Sequence, residues 1–71
     1  MKLFNLIKFK NMSLEELIDL MQDEMQVAQK GIEKFTGGNK SAGTRARKSM
    51  QIIKETAQNV RKQIQEIKNN S

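Results

Sequence analysis

Phe35-Thr36-Gly37-Gly38-Asn39-Lys40 separates two runs of helix-forming sequence, and the reading of these six residues decides the fold. Paired glycines admit the left-handed backbone that closes a helix, and Asn39 is a residue type that caps the start of the next one. Before this hinge, Leu14, Ile18, Met21, Met25, Ala28, Ile32 and Phe35 recur at alternating intervals of four and three, an apolar seam on one helix. After it, Gly43, Ala46, Met50, Ile53, Ala57, Val60, Ile64 and Ile67 repeat the pattern on a second helix from Lys40 to Lys68. Two amphipathic helices joined by so short a turn must fold back seam against seam. The expected fold class is all-α, an antiparallel, coiled-coil-like two-helix hairpin.

The start of the first helix is marked independently. Ser13-Leu14-Glu15-Glu16 is an S-x-x-E capping box, with Met12 and Leu17 placed as a hydrophobic staple. The chain divides into an apolar and basic segment over 1–12, a helical hairpin over 13–68 and a C-terminus over 69–71 that is expected to fray. A lone core in so few residues stabilises by only about 3–5 kcal/mol. Pairing of two hairpins into a dimeric four-helix assembly is therefore expected, with Leu17, Leu20, Val27 and Ile52, which lie off the strict seam, supplying the second surface.

Composition narrows the chemistry. The chain has 71 residues, 13 Lys and Arg against 8 Asp and Glu, a formal charge of +5, and no Cys, His, Pro, Trp or Tyr. Thiolate and imidazole chemistry, the usual routes to metal binding and acid–base catalysis, are closed to it. No enzyme activity and no cofactor are expected. Gly37-Gly38-Asn39-Lys40-Ser41 is not a phosphate loop, because Lys34 and Asn39 occupy the positions where that motif requires glycine. No run approaches the roughly 20 apolar residues of a membrane span, so a cytoplasmic location is expected.

Charge is segregated along the chain. Residues 13–35 hold six acids and two lysines, whereas residues 36–71 hold eight bases and two acids. The acids at the head of the first helix suit its positive dipole end. Lys40, Arg45, Arg47 and Lys48 oppose the dipole at the head of the second, and an anion bound there by four cations and free amides would explain the placement. Lys30 and Lys34 fold to the same end. Lys40, Arg47, Lys54, Arg61 and Lys68 recur every seven residues along a line of roughly 40 Å, comparable with one turn of duplex DNA. The ordinary structural explanation for such a line is pairing across the hairpin, which would join Arg61 to Glu15.

Gly38-Asn39-Lys40-Ser41-Ala42-Gly43-Thr44-Arg45-Ala46-Arg47-Lys48 resembles the bacterial linker-histone-like DNA-binding family, whose members carry a G-N-K-x-A-[GA]-x-R-x-R-K stretch at the head of the second helix. The resemblance implies a nucleoid-associated protein that binds double-stranded DNA with little sequence preference and compacts it. Its candidate DNA-binding residues are Lys40, Arg45, Arg47, Lys48, Lys54, Arg61, Lys30 and Lys34. The expected partners are nonspecific duplex DNA and a second or further copy of the chain, with no membrane. Two other readings compete: a helical protein-interaction (coiled-coil) module with no DNA role, and a peripheral membrane binder using Lys2 to Met12 with Phe4 and Phe9 as anchors. Residues 1–12 fit a helical spacing and a two-residue alternation equally well, and are expected to pack across a seam of this or a partner hairpin.

Overall fold

The computed structural model describes residues 12–70. Within them, α1 spans Leu14–Thr36 and α2 spans Lys40–Asn70. The two pack side by side as a hairpin 50 × 21 × 14 Å in extent, one helix layer thick. The expectations for residues 1–11 lie outside the described residues.

Local signals in the sequence become bonds at each end of α1. The Ser13 hydroxyl accepts from the Glu16 amide at 3.1 Å, and the Ser13 amide donates to Glu16 Oε1 at 2.8 Å, completing the capping box. Ser13→Ala is expected to lower stability by about 1 kcal/mol, read from the midpoint of a denaturant melt.

At the other end the Gly38 amide donates to the Phe35 carbonyl at 3.0 Å and the Asn39 amide to the Lys34 carbonyl at 2.9 Å, a Schellman closure. Only the second glycine of the pair takes the left-handed region, Gly38 at φ +112°. Gly38→Ala meets no steric obstacle from neighbours but must hold that backbone, so a loss of about 1–2 kcal/mol is expected in the same melt. Asn39 then opens α2, its Oδ1 accepting from the Ala42 amide at 3.3 Å and the Ser41 hydroxyl at 2.8 Å.

The helices meet on faces that coincide with the expected seams at Ala28 and Ala46 and are rotated from them elsewhere. On α1 the buried residues are Leu17, Ala28 and Gly31, and on α2 they are Ala42, Ala46, Ser49 and Thr56. Leu17, read in the sequence as part of an outer surface, is fully buried. Ile18, Met25 and Ile32, read as seam residues, are 43 %, 49 % and 45 % exposed.

The reason is the small-residue contact near the turn. A Cβ on Gly31 would lie 3.2 Å from both the Ala42 carbonyl oxygen and the Ala46 Cβ, so the backbones approach more closely there than isoleucine would allow. Small side chains hold the centre, and the bulky ones of the expected seam are displaced to the flank.

Polar groups complete the interface. Buried Thr56 donates its hydroxyl to the Ile52 carbonyl one turn back at 2.6 Å. Gln63 Nε2 donates to the Met12 carbonyl at 2.9 Å, tying α2 to the chain just ahead of α1 at the open end. Helix α2 continues through Asn69 and Asn70, which the sequence reading assigned to fraying, and Gln65 Nε2 donates to Asn69 Oδ1 at 3.3 Å across that last turn.

Candidate nucleic-acid interface

Lys30 and Lys34 stand one turn apart near the C-terminal end of α1, where cations suit the negative dipole end. Antiparallel folding sets Arg45, in the second turn of α2, across from them. Together with Val27, Gly31, Asn39, Ser41 and Ala42 these three cations line one concavity beside the start of α2. Gly31 and Ala42 keep its floor low, since neither carries a side chain beyond Cβ. No acidic residue lines it. Its charged side chains are all positive, with the amide-rich start of α2 at one side.

The opposite side of the hairpin carries a different groove. Lys40, Arg47 and Lys54 border it, and Ile32, Phe35, Gly43 and Met50 are among its lining. Phe35 lies against Gly43: a Cβ there would fall 2.7 Å from Phe35 Cδ1. The glycine makes room for the ring, which remains 51 % exposed. This side is an apolar strip with a cationic border, again without an acid in its lining.

The cluster of Lys40, Arg45, Arg47 and Lys48 read in the sequence does not converge on one anion. Arg45 and Arg47 lie two residues apart, about 200° around a helix, and the structure places them in different concavities. Lys48 and Arg61 line neither of these two. Lys30 and Lys34 share a concavity with Arg45 and not with Lys40, Arg47 or Lys48. Of the seven-residue line, Lys40, Arg47 and Lys54 border one groove on a single uninterrupted helix that also contains Arg61 and Lys68. The pairing of Arg61 with Glu15 is not formed, and among the described residues none of the eight candidate cations is held in a salt bridge.

The division into two faces was within reach of the sequence, because the offset between Arg45 and Arg47 and that between Lys30 and Ile32 each turn a helix through more than half a circle. Ile32, Phe35 and Met50, expected on seams that a two-helix hairpin only half covers, line the exposed strip.

A family model described as Histone H1-like protein Hc1 matches residues 15–70. The match spans both helices, the turn and all eight candidate cations. No curated protein and no solved structure matches the chain.

Proposed function

The chain belongs to the Histone H1-like protein Hc1 family, and from that membership together with the acid-free cationic surfaces of the hairpin we propose that it is a bacterial, cytoplasmic, nucleoid-associated protein that binds duplex DNA with little sequence preference and contributes to its compaction. The observation that carries this reading is the convergence of Lys30, Lys34 and Arg45 on a concavity that no acid lines. Cations left without protein partners at the mouth of a cleft favour a polyanion, and phosphates are the anions that duplex DNA presents at regular spacing.

Sequence readout is absent from the proposal for a geometric reason. The cationic residues are distributed over two faces of a two-helix layer, and the three that α2 aligns, Lys40, Arg47 and Lys54, stand about 10 Å apart along it, too far to read neighbouring base edges at about 3.4 Å. Lys48 and Arg61, which line neither groove, add contacts along the phosphate backbone. No step of catalysis enters this role. No described helix is long and apolar enough to cross a membrane.

Self-association is part of the same role. Among the described residues Leu17 is the one large apolar side chain fully buried, while Ile18, Met25, Ile32, Phe35 and Met50 remain 42 % to 51 % exposed. A second copy seated on that strip would cover them. The broad face measures 50 by 21 Å, enough for the roughly 800 Å² per partner of a stable interface. The border of Lys40, Arg47 and Lys54 matches the polar rim that surrounds the apolar centre of such interfaces.

Two measurements test the reading. Immobilised protein is expected to retain random-sequence duplexes of differing composition with affinities within severalfold of one another; strong preference for one short sequence refutes the nonspecific role. Sedimentation at micromolar concentration is expected to report at least a dimer, with a melting temperature that rises with concentration. A concentration-independent monomer refutes the assembly.

A further inference from the structure

The apolar strip and the three-cation concavity sit on opposite sides of a one-layer hairpin. The groove bordered by Lys40, Arg47 and Lys54 contains Ile32, Phe35 and Met50, and its lining shares no residue with the concavity of Lys30, Lys34 and Arg45. The helical offsets agree: Lys30 and Ile32 are two residues apart on α1, as Arg45 and Arg47 are on α2, and each such step is about 200° of rotation. Whatever covers the strip therefore leaves the concavity pointing away from it.

A symmetric pair joins through one patch used by both copies. When two hairpins meet strip to strip, each concavity ends up on an outer surface, and the two outer surfaces face in opposite directions. A straight duplex lying along one of them cannot reach the other, because two layers of helix stand between.

From this arrangement we infer that the dimer is a bridging unit, holding one duplex segment on the Lys30, Lys34 and Arg45 surface of each protomer and so linking two segments side by side. Compaction then proceeds by cross-linking of DNA to DNA. Wrapping requires one continuous cationic surface, and the apolar strip interrupts it. The inference rests on the DNA-binding dimer proposed above and adds the number and placement of the duplexes.

The test is a capture assay with the full chain. Beads carrying one unlabelled duplex are incubated with protein and a second, labelled duplex of unrelated sequence. Capture of label is expected to rise with protein and fall again at excess, when every segment is saturated by its own dimers. The variant Ile32→Gln with Met50→Gln changes two side chains of the strip without changing charge and with good helix formers. It is expected to sediment as a monomer, to shift a single duplex still, and to capture at least tenfold less label. Ile18→Gln with Met25→Gln, farther along the same strip and away from the cations, is expected to behave alike and guards against a local fault in the first variant.

Capture undiminished in a monomeric variant overturns the inference. So does a variant that stays dimeric, because the pairing face is then elsewhere. Full-chain protein that binds single duplexes but captures no second one overturns bridging and leaves the DNA-binding role standing. Failure of the full chain to bind any duplex at low salt overturns both.

Discussion

Raising salt from 50 to 200 mM is expected to weaken duplex binding by roughly 250- to 1000-fold, because neutralising about 4 to 6 phosphates per protomer gives a slope of log K against log salt of about −4 to −5. The effect comes from displaced counterions, so it should be nearly the same for every sequence tested. Lys30→Ala, Lys34→Ala and Arg45→Ala combined remove the three cations of the shared concavity. At roughly 1 kcal/mol per phosphate contact the triple variant should bind about 100-fold more weakly at low salt, and its slope should be shallower by about 2.7. Its far-ultraviolet helix signal should be unchanged, since all three positions are exposed on their helices. A flat salt response, or a triple variant that retains the full slope, would remove the concavity from the binding surface. Fluorescence anisotropy of a labelled random duplex at four salt concentrations makes the measurement.

Gly31→Leu is expected to be the most damaging single change to the fold. The Cβ alone would already press against the Ala42 carbonyl oxygen and the Ala46 Cβ at 3.2 Å, and the rest of a leucine side chain has no space between the helices. Separation of α1 from α2 near the turn should cost about 2–4 kcal/mol, most of what so small a core supplies. Gly31→Ala is a sharper test. It gains about 1 kcal/mol of helix propensity and needs its neighbours to yield by only a few tenths of an ångström, so it should stay within about 1 kcal/mol of the parent. Thermal melts at two protein concentrations separate the two outcomes. A Gly31→Leu chain that melts with the parent would show that the close approach contributes nothing to the hairpin.

Both helices, the capping box, the turn glycines and the Asn39 cap were legible because each depends on a few neighbouring residues whose chemistry is local. The rotation of the interface was not. Periodicity marks apolar positions, and Ile18, Met25 and Ile32 share the seven-residue rhythm of a seam with as much regularity as Leu17, Glu24 and Gly31 share theirs. Choosing between two such rows requires knowing how near the partner backbone comes. That distance is set by Gly31, Ala42 and Ala46 acting together across a gap in sequence. The grouping of Lys40, Arg45, Arg47 and Lys48 was not legible either, since four basic residues in nine look like one cluster until the helix that carries them is turned in space and Arg45 parts from Arg47.

The sequence distance spanned by contacts grows steadily from the turn to the open end. Gly31 meets Ala42 across eleven residues, while Gln63 reaches Met12 across 51. Loop closure is least costly for the nearest pairs, and low contact order favours rapid folding. Folding of the hairpin therefore zips outward from Gly37 and Gly38, and transient opening begins at the Met12 and Gln63 end. Amide hydrogen exchange should slow progressively toward the turn, as local stability does. Lys30, Lys34 and Arg45 thus belong to the part that assembles first and separates last, so their shared concavity persists in molecules whose far ends have already come apart.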